Sequence, residues 1–373
     1  MIPPRALTPA LPGGVDAGPY PFAPAPAADG VPGLLSVVVV HHRGADDLVA
    51  CLGSVLAADP PDALEVLVVD NDAQDDGAAR AAALDPRVRS VRLPRNLGFA
   101  AAASAGMRAS RGDRVLLLNP DAVVDPGCLR RLLSAAENAD IVAARVLLRD
   151  DPSRLDNCGH RLYADGLNWC RGRGEAAAGA FKEPEDVLLF SGAAVLFRRD
   201  ALARTGGFDP SYFGYGEDAD LGLRAARMGL RCTYVPDAVV RHAVGGTFGA
   251  ASPLKVFLVE RNRARVAMTH LPRRRLLLSP LWTLGRHVAL TAASLRRRGP
   301  VADAGPRDGL VLPAAVVLAH LASLVDVPGA FARRRAVSRR VREAGGLTDA
   351  AWAARLDEDR VSLRELAGSA PRA

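Results

Sequence analysis

The chain has 373 residues, with 48 Lys and Arg against 41 Asp and Glu and a formal charge of +7. Hydrophobic residues at 49% and charged residues at 24% are ordinary for a globular protein, which excludes a wholly disordered or collagen-like chain. Five widely spaced cysteines with no CxxC pair argue against a disulfide framework or a thiolate zinc site and suit a reducing cytoplasm.

Residues 1–32 hold nine of the 27 prolines and no apolar run long enough for a signal-peptide core, so they read as a disordered leader. Short apolar runs then alternate with helical stretches. Leu34–Val40, Leu64–Val69, Val88–Leu93 and Val115–Leu118 lack polar alternation, as parallel strands buried on both faces do. Asp46–Ala58, Ala78–Leu84 and Phe99–Ser110 read as the helices between them. This alternation predicts an α/β protein with a doubly wound, mostly parallel sheet, in which ligands bind beyond the carboxyl ends of the strands. Residues 150–186 read as a polar excursion over one face, and Ser191–Phe197 as a further strand. A glycine-rich aromatic loop follows at 205–216, then a helix at 217–228 and two short strands around Cys232–Val235 and Ala238–Arg241.

The polar residues after each run are the ones that can carry chemistry. The second run ends in Asp70-Asn71, where a carboxylate could accept a hydrogen bond from a base or a ribose hydroxyl; a helix-capping turn explains it equally well. The fourth runs into Asn119-Pro120-Asp121, which places an acid where a hard divalent cation could bridge it to a diphosphate. Glu217 and Asp218 open a helix whose apolar face is Leu221, Ala225 and Met228; taken alone, that is dipole complementation. The preceding loop carries Phe208, Tyr212, Phe213 and Tyr215, the composition of a sugar-binding lid with a base at its edge. His242 closes the series as a plausible partner for a carboxylate metal site.

In their order these blocks resemble glycosyltransferase family 2, an inverting family with the GT-A nucleotide-sugar fold, over residues 34–245. The likeness rests on Ser36–Val40, Asp70-Asn71 with Asp75, Asn96–Ala100, Leu118–Asp121, Ser191–Ala193, Gly206–Asp209 and Gly216–Asp218. It is to bacterial rhamnosyl- and galactofuranosyl-transferases of cell-wall and surface polysaccharide. The resemblance implies Asp70 and Asn71 at the nucleobase, Asn96 and Gly98 near the nucleotide-sugar, and Asn119 and Asp121 at the donor diphosphate. It further implies Mn²⁺ or Mg²⁺ on Asp121 and His242, Asp218 as general base with Glu217 beside it, and Trp169, Phe208, Tyr212 and Tyr215 flanking the acceptor. The donor it implies is dTDP- or UDP-linked, and the acceptor a glycan or a polyprenyl-diphosphate-linked sugar. Asn119 stands where many members carry an acid, and His41-His42 replaces a Tyr-Asn-like pair. The alternative is a catalytically inactive nucleotide-sugar-binding or scaffold protein of the same fold.

Charge divides the chain. Residues 261–340 hold 16 arginines and three acids, against 32 basic and 38 acidic residues elsewhere. Leu276–Leu295, broken by Arg286 and His287, and Gly309–Val325 interrupt these arginines and read as interfacial or re-entrant helices on anionic lipid. A soluble helical subdomain is the other reading. No aromatic-interleaved basic motif points to nucleic acid. The expected organisation is a leader at 1–32, a catalytic domain at 33–250, a basic helical, membrane-associated extension at 251–341 and a tail at 342–373. The expected location is cytoplasmic, peripheral on the inner face of the cell membrane.

Overall fold

The computed structural model describes residues 29–243, 252–295 and 308–368. The leader through residue 28, Gly245-Gly246, and the arginines at 296–298 and 307 lie outside the described residues. In the first half the chain runs β1 (Val31–His41), α1 (Ala45–Ala57), β2 (Leu64–Asp70), α2 (Gly77–Ala82), β3 (Val88–Arg92), α3 (Phe99–Ala109), β4 (Gly112–Leu118), β5 (Ala122–Val124), α4 (Cys128–Ala135) and β6 (Ile141–Leu148). The polar excursion holds the short strands β7 (Leu155–Asn157), β8 (His160–Leu162), β9 (Asn168–Cys170) and β10 (Glu185–Asp186). Next come β11 (Ala194–Arg198), α5 (Arg199–Thr205), a 3-10 turn at Pro210–Tyr212, α6 (Glu217–Arg227) and β12 (Cys232–His242). The C-terminal helices are α7 (Pro253–His270), α8 (Arg273–Leu295), α9 (Asp308–Val325), α10 (Val327–Glu343), α11 (Asp349–Glu358) and α12 (Leu363–Gly368).

One ten-stranded sheet runs β10-β12-β6-β11-β4-β1-β2-β3, with β5 on β12 and β7 on β6. The segment β4-β1-β2-β3 is parallel, as the unbroken apolar runs require, and β11 enters antiparallel between β4 and β6. β1 begins at Val31, inside the segment read as leader. The two short strands expected after Arg231 are one strand, β12, whose pairing with β6 shifts register between Val235 and Val239. Pro236, which has no N–H to donate, sits in that irregularity. The alanine-rich α3 lies flat on the sheet. A Cβ at Gly106 would come within 2.4 Å of Val38 Cγ1 and 2.7 Å of Val69 Cγ2, so helix and sheet meet at a spacing only glycine permits.

No boundary in packing separates the C-terminal helices from the sheet. Val266, Ala267, Leu271, Val337, Val341 and Trp352 belong to the same buried cluster as Val38, Leu117 and Phe197. The tail expected beyond residue 342 is helical over α11 and α12, and its buried Trp352 donates from Nε1 to the carbonyl of His270 at 2.8 Å. Among the described residues no single helix is long and apolar enough to cross a membrane; α9 and α10 meet that measure only as a pair bent by 62°.

Candidate functional site

The parallel register aligns the ends of β1 and β2, pairing His41 with Asp70. Asp70 Oδ1 accepts the Ala73 N–H at 2.8 Å, and Arg92 Nε lies 3.7 Å from Oδ2. Asn71 accepts the Leu97 N–H at 2.9 Å and donates from Nδ2 to Asn96 Oδ1 at 3.0 Å. Asn96 Oδ1 also accepts the Gly98 N–H at 2.9 Å, and its Nδ2 faces His42 Nε2 at 3.2 Å. The two asparagines therefore tie the end of β2 to the Asn96–Gly98 turn. Gly98 has φ +81°, and a Cβ there would lie 2.4 Å from the Phe213 carbonyl oxygen. The Asn96–Gly98 turn thus touches the aromatic loop directly.

Beyond the end of β4, Asp121 meets His242, with Oδ1 and Nε2 3.2 Å apart. The opposite ring nitrogen of His242, Nδ1, lies 2.9 Å from Asp156 Oδ2. Asn119 Nδ2 is 3.1 Å from Nε2. Burial opposes a charge on His242, but its hydrogen bonds to Asp121 and Asp156 prevail and raise the imidazole to about 9. Asp121 Oδ1 and His242 Nε2, with Asp156 orienting the ring from behind, are a donor set that fits a divalent cation, which on binding would displace the ring's proton. A second grouping, Glu260, His287 and His320, has ligand atoms within 4.8 Å of one another. There both Glu260 oxygens accept from Arg286 at 2.8 Å, and Arg263 adds a contact at 3.1 Å, so the grouping is part of an ion-pair network.

The acids of α6 form the second group. Gly216, at φ +89°, turns the chain into the helix, so Glu217 and Asp218 occupy its first turn. Donors converge on Asp218: the Ala219 N–H at 2.7 Å, Asn168 Nδ2 at 3.4 Å and the Gly192 N–H at 3.5 Å. His160 Nδ1 stands 3.5 Å from Asp218 Oδ2. Glu217 Oε2 is buried and has no hydrogen-bond partner. Burial, then the neighbouring Asp218 carboxylate, push Glu217 up to about 8. Burial also opposes a charge on His160, yet Cys170 and Asp218 raise it to about 9.

The aromatic expectations need correction. Phe208 and Tyr212 are fully buried, Phe208 against Phe99 with ring centroids 6.2 Å apart, so neither can flank an acceptor. Side chains alternate along β9, so Asn168 and Cys170 face His160 while Trp169 packs on the Tyr163–Leu366 cluster. Tyr215 alone of the four remains beside the acids. It is partly exposed, and its hydroxyl is raised to about 12 by burial and then by Glu217.

Asp156, His160, Asn168 and Asn262 complete the site and carry no motif. Asn262, fully buried on α7, places Nδ2 2.9, 2.9 and 2.6 Å from the carbonyls of Tyr212, Gly214 and Tyr215. Arg261 and Arg265 donate to the Ser211 carbonyl on the same loop. Behind it, the fully buried Asp220 accepts from Arg224 at 3.0 Å and meets His270 Nε2 at 2.8 Å. Burial would raise Asp220, but Arg224 and His270 hold it down at about 2. Arg224 also donates to the Gly207 carbonyl at 2.9 Å, which gives the Gly206-Gly207 block a structural role.

A family model described as glycosyl transferase family 2 matches residues 36–206. An N-acetylglucosaminyl-diphospho-decaprenol L-rhamnosyltransferase of Mycobacterium tuberculosis is 32% identical over 237 residues, spanning 56% of this chain and 76% of that protein. The chain belongs to glycosyl transferase family 2. An N-acetylglucosaminyltransferase of Mesorhizobium japonicum is 29% identical over 239 residues, 60% of this glycosyltransferase and 54% of the relative. The crystal structure of GalNAc-T7 with UDP, GalNAc and Mn²⁺ superposes with a TM-score of 0.53 at 16% identity, over 70% of this chain and 51% of that one, which shows the GT-A fold. The family match ends at Gly206, short of the glycosyltransferase's Glu217-Asp218 pair and of the helix that clamps its loop.

Proposed function

We propose that this family 2 glycosyltransferase moves a rhamnose- or galactofuranose-like sugar, with inversion, from a dTDP- or UDP-linked donor to a polyprenyl-diphosphate-linked or glycan acceptor in cell-wall or surface polysaccharide synthesis. The decaprenol-linked substrate named for the mycobacterial relative supports the acceptor class. The observation that carries the reading is the presence of two centres, Asp121 with His242 at strand ends of the sheet and Glu217 with Asp218 in the first turn of α6.

In this reading Asp218 Oδ2 takes the proton of the acceptor hydroxyl as the new bond to C1 forms on the face opposite the departing nucleotide. Glu217, raised to about 8, is protonated at neutral pH and donates a hydrogen bond that orients the acceptor. Tyr215 offers a partly exposed ring at the same place. Asp70 receives the nucleobase, while Asn71, Asn96 and Gly98 shape the turn under the nucleotide. Asp121 and His242 would hold Mn²⁺ or Mg²⁺, with Asn119 alongside, and the cation would offset the charge that grows on the diphosphate. Binding both sugars in one cleft removes much of the entropic cost of their encounter. A lipid-linked acceptor supports a location for the enzyme on the inner face of the cytoplasmic membrane.

A thermal-shift screen of dTDP- and UDP-sugars, with and without Mn²⁺, tests this reading, since a ligand bound to the native state raises the melting temperature by mass action. Stabilisation by one nucleotide-sugar that needs the cation is the expected result. No shift with any nucleotide-sugar contradicts it.

A further inference from the structure

Helix α8 is built inside out. Ser279, Thr283 and Arg286, spaced along one helical stripe, are buried at 7%, 7% and 2% exposure. Leu277, Leu281 and Leu284, on the opposite stripe, are exposed at 80%, 66% and 62%. The inward polar stripe is fully used: Thr283 Oγ1 donates to Asp165 Oδ2 at 3.1 Å, and Arg286 bridges Asp165 and Glu260 at 2.8 Å. These bonds fix the rotation of the helix, so the leucines cannot turn inward without unpairing a buried guanidinium. At the end of α9, Leu324 and Val325 are likewise exposed at 69% and 70%. A soluble surface does not ordinarily present such a face.

Beside the start of α8 lies a cleft of about 440 Å³ lined by Arg273, Arg334, Arg335 and Arg342, with Leu276, Phe331 and Ser338. It holds four guanidiniums and no carboxylate among its lining residues. Arg334 spends its Nη1 on the carbonyls of Met268 and Leu271 at 3.1 and 2.7 Å. Asp349, the acid that acts on Arg334, is shared with Arg227 at 3.8 Å. Like charges gathered without a carboxylate are relieved by an anion. The lining also joins the apolar surface: Leu276 precedes Leu277, and the 40%-exposed Phe331 follows Val325 by less than two turns.

We propose that the cleft between α8 and α10 binds the headgroup phosphate of an anionic phospholipid while the outward leucines of α8 enter the acyl boundary of the bilayer. The proposal rests on the membrane-facing reading above and names the residues that make the contact. An apolar stripe supplies burial and a basic rim supplies attraction to anionic lipid, the combination that holds a protein on a membrane without spanning it.

The test is co-sedimentation of the full chain with phosphatidylglycerol vesicles and with phosphatidylcholine vesicles, at low and high salt. Binding to phosphatidylglycerol that weakens with salt is expected. Arg335→Ser with Arg342→Ser should weaken it roughly tenfold or more. Leu277→Ser with Leu281→Ser should weaken binding to both lipids. Both double variants should keep the parent's melting temperature and its transfer rate to a soluble acceptor. No binding by the parent overturns the membrane reading together with this proposal; equal binding by parent and arginine variant overturns the cleft alone. Inorganic phosphate provides the second arm. Calorimetric uptake that the arginine variant loses, with its vesicle binding intact, assigns the cleft to a soluble anion and overturns the lipid proposal. Loss of transfer to the soluble acceptor in the parent counts against the enzymatic reading and leaves the vesicle result standing.

Discussion

The Asp121–His242 pair and the Glu217–Asp218 pair are built from different sources. In the first, Asp121 and His242 come from neighbouring strand ends, β12 pairing with β5 so that His242 stands opposite Ala122. That geometry is a property of the sheet. In the second, Glu217 and Asp218 begin a helix behind a loop whose conformation depends on α7, because Asn262 bonds three of its carbonyls. The comparison teaches that the sheet positions the Asp121–His242 pair and the C-terminal helices position the loop that leads into Glu217 and Asp218. The extension shares the buried core of the sheet, and a chain cut near residue 250 would lose the clamp on its own loop.

The contrast can be broken or sharpened by substitution. Asp218→Asn should have the largest effect, a loss in kcat on the order of 10²–10⁴-fold with donor affinity retained; turnover near that of the parent would remove Asp218 as the base. Asp156→Asn, which leaves the ligands in place but releases Nδ1 of His242, should weaken Mn²⁺ affinity roughly 10- to 100-fold, read by titration of the metal against donor binding. Asn262→Ala should cost about 1–3 kcal/mol of stability by leaving buried carbonyls unpaired and lower kcat more than donor affinity. An equal loss in both would show that α7 supports the whole fold and not the loop in particular.

The smallest effect concerns pH. Glu217 has its folded value raised from 4.5 to about 8, so the native state binds the extra proton. The stability this gives is fully present below about 4.5 and is lost as pH rises through about 8. Glu217→Gln should therefore flatten the fall in melting temperature between pH 4.5 and about 8. Parallel curves for variant and parent would contradict the buried, unpaired carboxyl.

Much of this was legible in the chain, and the reasons are physical. Parallel strands buried on both faces leave unbroken apolar runs, so β1 to β4 and the helices between them lie within a few residues of where the sequence puts them. Strand-end acids are readable because the sheet alone determines where they point, as for Asp121. Asp156, His160 and Asn168 sit in short strands of a polar excursion with no periodicity to mark them. Asn262 lies in a helix whose composition announces only charge. Phe208 and Tyr212 misled because a loop's aromatic content does not tell which rings turn inward. The interruption of the Leu276–Leu295 run by Arg286 and His287 was visible; its meaning was not, since the bond from Arg286 to Asp165 spans most of the site's loops.

The claim that the two pairs work separately is tested most directly by calorimetric titration of the donor nucleotide-sugar into Asp121→Ala and Asp218→Asn, each with and without Mn²⁺. The account predicts that Asp218→Asn binds donor as the parent does and keeps its dependence on Mn²⁺, whereas Asp121→Ala binds weakly and gains nothing from the cation. Equal affinities in the two variants, or Mn²⁺-enhanced binding to Asp121→Ala, would contradict it.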